Sequence, residues 1–213
     1  MTGSRQLASW LGAIVRLGWR DDRAAQIVEF AVALPLLVVF VVGIFDFSSA
    51  YTLKQKLTNV TREAARVAAA DPSNDVAQPS GVPASVKDVF QIFDNYLKAN
   101  KINDCGITIG NFAFVSPTTW TFSSPGGSGC PGIGLILTVN RGYYFPLTAG
   151  SAAATPSCVP PDPLGGPQAA VVSTCVSVQY GYQWRFGRAA SLLGSAVTLP
   201  TQIAATSVSL NEN

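Results

Sequence analysis

The hydrophobic pattern of this chain is dominated by one uncharged run close to its N-terminus. No charged residue occurs from Phe30 to Phe45. Together with the apolar residues just before it, the run approaches the roughly 20 residues that a helix needs to span a bilayer. The pattern therefore predicts a membrane span. Two residues set it apart from a plain anchor, the carboxylate of Glu29 near its start and Pro35 within it.

The helical pattern continues past the apolar run. Neither glycine nor proline occurs between Asp46 and Pro72, and apolar side chains recur at steps of four and three: Leu53, Leu57, Val60, Ala64 and Val67. This spacing predicts an amphipathic helix. One continuous helix from about Ala25 to Ala70, on the order of 70 Å long, is therefore expected, apolar in its first half and amphipathic in its second.

The rest of the chain predicts a second helix followed by strands. Residues 71–82 have a loop composition, and Pro83 can begin a helix that ends near Asn100. Its buried face is predicted to hold Val86, Val89, Phe90, Phe93 and Leu97. Five segments rich in β-branched and aromatic residues then read as strands: Ile107–Val115, Thr119–Phe122, Ile133–Phe145, Val171–Trp184 and Ile203–Leu210. In the fourth, alternation predicts one buried and one solvated face. The fold class is α+β, with an antiparallel sheet packed on the long helix.

The formal net charge of +2 is located in the first 24 residues. Four of the 14 basic and two of the 12 acidic residues lie in residues 1–24, which leaves ten of each for residues 25–213. Residues 25–213 are therefore neutral overall, without the excess of basic residues that is typical of a nucleic-acid-binding protein. Positive charge ahead of the span predicts a cytoplasmic N-terminus and an extracytoplasmic body. Residues 1–24 themselves read either as an interfacial helix or as a targeting segment that is removed.

All cysteines follow the span, in the compartment where disulfides persist: Cys105, Cys130, Cys158 and Cys175. Two structural disulfides are expected. Three pairings are possible, and pairing of neighbours closes the shortest loops. A metal site is disfavoured, because the chain has no histidine and the spacings match no zinc pattern.

Nothing in the chain favours an enzyme or a cofactor. Without histidine, His-based acid–base and nucleophilic schemes are absent, and the acidic residues after the span are scattered singly along helices and loops. The glycines Gly126, Gly127 and Gly129 lack the context of a phosphate-binding loop and predict a surface loop. An aromatic set could line a ligand face, although its strand spacing favours sheet core: Tyr143, Tyr144, Phe145, Tyr180, Tyr182 and Trp184.

Three segments of the chain carry a family resemblance: AAQIVEFAVALP, GIFDF and the helix ending TREAARVAAA. They resemble the TadE-like minor pilins of the tight-adherence (Flp-type) pilus. The ending, with VSVQYGYQW, SLLG and a last strand running into NEN, is similar as well. Residues 71–170 contain no motif that belongs to the resemblance.

The resemblance implies a processing site and a set of partners. A prepilin peptidase would cut between Ala24 and Ala25, and Glu29 would then be the fifth residue of the mature chain. Glu29 belongs to a VEF-type motif, in which Phe30 follows it. The family usually has glycine before the cut, where this chain has Ala24. The implied partners are that peptidase, the pilus assembly platform, the major Flp-type pilin, other minor pilins and membrane lipid. The implied location is the inner membrane, single-pass, and after assembly the pilus or cell surface.

The domain organisation expected from these patterns has three parts: a leader at 1–24, a transmembrane and amphipathic helix at 25–70, and an extracytoplasmic α+β domain at 71–213. Glu29 is expected to pair with a mature N-terminal amine, since a carboxylate in hydrocarbon is costly unless it is neutralised or paired. The alternative is a hydrated carboxylate close to the membrane surface. Pro35 either bends the helix for assembly or is an ordinary tolerated proline.

A secreted or anchored binding domain without a filament role is the competing interpretation. Small residues at Ser48 and Ala50 suit signal peptidase, which would release a domain that starts at Tyr51. Against it, the apolar run is longer than the core of an ordinary signal peptide.

Overall fold

The computed structural model describes residues 22–77, 81–124, 129–146, 158, 170–185 and 199–212. Within these ranges the order is helix α1 (Asp22–Ala70), a short 3-10 helix (Ser73–Ala77), helix α2 (Ala84–Ala99) and five strands. The strands are β1 (Phe112–Ser116), β2 (Thr119–Ser123), β3 (Leu135–Pro146), β4 (Ala170–Gly181) and β5 (Gln202–Leu210). Most of the predicted leader, the glycines Gly126 and Gly127, and the SLLG segment lie outside the described residues. The chain divides into two compact units, Met1–Phe47 and Ser48–Asn213.

The described part of the first unit is the apolar half of α1. Its large side chains are exposed, among them Ile27, Phe30, Leu36, Phe40 and Ile44. Helix α1 is long and apolar enough to cross a membrane, and none of its most apolar stretch is buried. Apolar side chains that no protein covers are stable in lipid but not in water. The helix continues through Pro35 without a break.

In the second unit, the amphipathic half of α1 and helix α2 form the helical layer. The predicted stripe of α1 faces inward, with Leu57, Val60 and Ala64 completely buried and Leu53 and Val67 partly so. Helix α2 begins after Pro83 and has Asn100 as its C-terminal cap. All five apolar residues predicted for its inner face are buried: Val86, Val89, Phe90, Phe93 and Leu97.

The sheet is an antiparallel meander with strand order β1-β2-β3-β4-β5. One face packs on the helices through residues that include Trp120, Phe122, Val139 and Val178. The rings of Phe90 in α2 and Phe122 in β2 have centroids 5.1 Å apart. The predicted α+β class and the order of elements are confirmed. A smaller cluster on the other face joins Tyr143, Cys158, Cys175 and Val208.

Three details of the predicted strands are wrong. Ile107 precedes β1 in a turn, because Cys105 and Gly106 take positive φ angles of 57° and 67° and turn the chain there. Strand β4 ends at Gly181, short of Tyr182 and Trp184. The predicted solvated face of β4 is also not open at Ser177, which is 1% exposed. Ser177 is a small side chain on an inner strand, registered between Thr138 and Thr206.

Gly181 occupies a position where the structure has no room for a side chain. Its N–H donates to the Gly134 carbonyl at 2.7 Å. A Cβ atom built on Gly181 would lie 1.9 Å from the carbonyl oxygen of Pro131. That oxygen is backbone, so relief requires a shift of the loop before β3.

We expect Gly181→Ala to lower the free energy of unfolding by about 1–3 kcal/mol, the usual range for overpacking at a tight contact. Urea unfolding of the purified chain in neutral detergent measures the effect. Gly110→Ala is the matched control, since a Cβ there meets nothing within 4 Å. Equal stability of the two variants would contradict the steric argument.

Candidate functional site

The residues of the predicted processing and assembly site all lie on α1. The Ala24–Ala25 bond is inside this helix, which begins at Asp22. Glu29 is exposed, and Phe30 beside it is 65% exposed. Ala25 and Glu29 are one helical turn apart and therefore share a face. Pro35 follows in the same helix, in the run of exposed apolar residues.

A second cluster, which the sequence analysis did not single out, lies where α1 ends. Arg141 of β3 is 2% exposed. Its Nη2 donates to the carbonyl oxygens of Asp71 at 2.9 Å and Pro72 at 3.3 Å, the two residues that follow α1. Its Nη1 donates to Oγ1 of Thr174 at 3.3 Å. One buried guanidinium therefore ties the chain just past α1 to β3 and β4.

The electrostatics of this cluster follow from burial. Burial lowers the pKa of the Arg141 guanidinium, and the carboxylates of Asp75 and Asp71 oppose that shift. The pKa of Asp71 is raised, first by burial and then by the charge of Asp88, while Arg141 acts in the opposite direction. Asp75 accepts a hydrogen bond from the backbone N–H of Ser85 at 2.9 Å, and so links the loop to the first turn of α2.

The chain end closes the same cluster. Asn211 donates from Nδ2 to the Arg141 carbonyl at 3.3 Å and accepts from Thr174 Oγ1 at 2.7 Å. The N–H of Glu212 donates to the carbonyl of Ala69 at 3.2 Å. Asn211 and Glu212 thus have a structural use, which is to hold β5 against the end of α1. The sequence holds a signal that could have identified Arg141, because this residue is the single charged one between Asp104 and Asp162.

The cysteines form two disulfides, Cys105–Cys130 and Cys158–Cys175, with Cα–Cα distances of 5.6 and 5.7 Å. This is the neighbour pairing, which closes the shortest loops. The first disulfide belongs to the core between sheet and helices, and the second lies on the opposite face of the sheet. Each face of the sheet therefore holds one covalent link.

We expect the double substitution Cys105→Ser/Cys130→Ser to lower the free energy of unfolding by about 3 kcal/mol, because the disulfide limits the unfolded chain. Urea unfolding under oxidising conditions measures this loss. Addition of reductant should then destabilise the wild type more than the variant, which keeps only Cys158–Cys175. An unchanged unfolding midpoint in the variant would contradict a stabilising role.

The aromatic residues that the sequence offered as a possible ligand face lie partly in the core and partly at the surface. Tyr143 is 1% exposed and Tyr180 is 8% exposed, so both are core residues, as favoured. Tyr180 donates its hydroxyl to the Asn103 carbonyl at 3.0 Å. Tyr182 and Trp184 contact each other edge to face at 5.0 Å between centroids, next to an open groove of about 530 Å³ that Tyr182 lines. The side chain of Phe145 lies outside the described residues, and Tyr144 is 45% exposed.

No group of three or more potential metal ligands occurs within the part of the chain that the structure describes. The apolar helix together with two disulfides is typical of a membrane-anchored extracytoplasmic domain. Within that class, residues 24–66 match the family model described as TadE-like protein. This segment begins at Ala24, includes Glu29 and Pro35, and ends four residues before the end of α1. Neither the curated proteins nor the solved structures contain a match to the chain.

Proposed function

We propose that the chain is a minor pilin, or pseudopilin, of a Flp-type tight-adherence pilus. The observation that carries this proposal is the match of residues 24–66 to the TadE-like family. The matched segment coincides with nearly all of α1, from the residue before the proposed cut to the amphipathic half. The protein acts as a structural subunit: its helix enters the membrane and the assembly, and its sheet domain is displayed outside.

In this proposal the chain is inserted in the inner membrane with its N-terminus in the cytoplasm, and residues 1–24 are a leader. A prepilin peptidase cuts the Ala24–Ala25 bond. That bond lies close to the described start of α1 at Asp22. Alanine before the cut keeps the side chain small, as glycine does in the family pattern.

Cleavage changes the electrostatics around Glu29. It creates a free amine on Ala25 at the new start of α1, where the helix dipole is also positive. Glu29 is one turn further and carries the negative charge. Pairing with the amine of a neighbouring subunit would neutralise a carboxylate that is otherwise costly in hydrocarbon, and would align parallel spans in register. Phe30 and Pro35 lie in the same exposed apolar surface and would pack against that neighbour.

The mature N-terminus tests this function directly. Intact mass and terminal peptide mapping, on membrane and sheared-surface fractions of the native host, should find a chain that starts at Ala25. Ala24→Gly should be processed at least as completely, whereas Ala24→Leu should block the cut because a bulky side chain replaces a methyl group.

Two outcomes contradict the proposal. A start at Tyr51 would identify signal-peptidase cleavage after Ala50 and a secreted binding domain. That cut would fall inside α1, where Ala50 is only 7% exposed. An intact Met1 in every fraction would identify an uncleaved membrane anchor.

A further inference from the structure

Among the residues that the structure describes, strand β5 has one backbone edge that no strand covers. It is last in the sheet order, and β4 is its one described neighbour. The Thr201 carbonyl accepts from the Tyr182 N–H at 2.9 Å, and the Asn211 N–H donates to the Val172 carbonyl at 3.2 Å. The odd-numbered residues therefore direct their backbone groups toward β4. Because these directions alternate along an antiparallel strand, the even-numbered residues direct theirs outward.

The outward residues include Ala204, Thr206 and Val208. The carbonyl of Ala204 accepts a hydrogen bond from the ammonium group of Lys54 on α1, which agrees with that alternation. In the described residues, the outward N–H and C=O groups of Thr206 and Val208 have no hydrogen-bond partner. Such an edge is a template for another strand.

A basic stripe of α1 runs beside this edge. Lys54, Thr58, Arg62 and Arg66 follow one another at steps of four residues and so lie on one side of the helix. Two open grooves of about 510 and 300 Å³ lie along the stripe, and both are lined by Asn59 and Arg62. The smaller groove reaches the strand and is lined on its far side by residues 207–209.

The charge of the stripe is not balanced locally. Glu63 is the single carboxylate among the described residues that line the two grooves, against the cations Lys54, Arg62 and Arg66. Both arginines are exposed, and neither has an ion-pair partner in the part of the chain that the structure describes. An extended segment that enters the groove would thus meet free backbone groups on one side and free guanidinium groups on the other.

We propose that the outer edge of β5 binds an extended acidic segment of a partner subunit. The segment adds to the sheet beside β5, with backbone hydrogen bonds to Thr206 and Val208 and carboxylates toward Arg62 and Arg66. It displaces Lys54 from the Ala204 carbonyl, and a carboxylate of the segment then receives the ammonium group. This interaction stands apart from the span and from Glu29, so it holds whether or not the chain is a pilin.

The opposite edge of the sheet favours a different partner. Strand β1 exposes Phe112, Phe114 and Val115, and residues 105–140 contain no charge. A segment bound there would be apolar. Binding of an acidic segment at β5 therefore depends on Arg62 and Arg66, whereas binding at β1 does not.

The test uses the full chain in neutral detergent micelles and a fluorescein-labelled peptide of alternating valine and aspartate, about seven residues long as an ordinary strand is. Fluorescence anisotropy should show saturable binding. Arg62→Gln/Arg66→Gln should weaken it about tenfold, since two charge pairs are lost. Lys87→Gln/Lys101→Gln removes the same charge from exposed sites elsewhere and should leave the affinity unchanged.

The backbone contribution needs its own variant. Thr206→Pro removes an outward N–H but no hydrogen bond to β4, and proline is tolerated on the open side of an edge strand. It should abolish peptide binding. Hydrogen exchange on the wild-type chain provides a second measurement that needs no substitution, because bound peptide should protect the amides of Thr206 and Val208.

Three results would overturn the proposal: no binding of the aspartate peptide, equal binding of a valine–lysine peptide, or affinity that survives the loss of both arginines. Protection at Phe112 and Phe114 instead of β5 would place the peptide at the other edge and also reject it.

Discussion

Replacement of Arg141 by alanine is expected to lower the free energy of unfolding by about 2–5 kcal/mol. The guanidinium is buried and donates to the carbonyls of Asp71 and Pro72 and to the hydroxyl of Thr174. Its removal takes a donor from a buried hydroxyl and from two partly buried carbonyls and opens a cavity, and the two penalties add. The stretch just past α1 loses its link to the sheet.

Urea unfolding in neutral detergent, followed by tryptophan fluorescence, measures this loss, since Trp120 is fully buried in the core. Arg141→Met keeps much of the packing of the aliphatic stem and should be less destabilising than Arg141→Ala. Lys87→Ala removes an exposed cation from α2 and should stay within about 0.5 kcal/mol of the wild type. A loss below about 1 kcal/mol for Arg141→Ala would show that the hydrogen bonds to the end of α1 contribute little.

Replacement of Glu29 by alanine is expected to abolish incorporation of the subunit into filaments, with membrane insertion and leader removal intact. The reason is electrostatic: without the carboxylate, the amine of Ala25 on a neighbouring subunit has no partner in the low-dielectric membrane. Glu29→Gln should fail as well, because it preserves the shape and removes the charge. The measurement is the ratio of subunit in sheared-surface and membrane fractions, quantified by peptide mass spectrometry.

The matched control for this prediction is Asp88→Ala, which removes one exposed carboxylate from α2. Its surface-to-membrane ratio should equal that of the wild type. If Glu29→Ala also gives the wild-type ratio while the N-terminus starts at Ala25, then Glu29 is a hydrated surface carboxylate. The proposal that the chain is a minor pilin would survive that result, but the pairing mechanism would be rejected.

Local sequence patterns predicted most of the elements, because each depends on neighbours along the chain. The charge-free run to Phe45 identified the apolar helix, and steps of three and four residues identified the inner face of α2 through Phe93 and Leu97. Pro83 and Asn100 marked the two ends of α2 correctly. Alternation found the strands but misplaced two ends, since the turn at Cys105 and the end of β4 depend on packing as well as on side-chain type.

The chain's own pattern of apolar, polar and charged residues thus determines a long helix, apolar in its first half and amphipathic in its second, a second helix and five strand-forming segments. The sequence also shows that the cysteines follow the apolar run. The tertiary structure alone decided which strands are neighbours, which edge lies beside the basic stripe, and what Arg141 does. Arg141 bonds to Asp71 and to Asn211, each 70 positions away in sequence. Contacts at that separation leave no local periodicity, because they form only when the sheet and the end of α1 pack together.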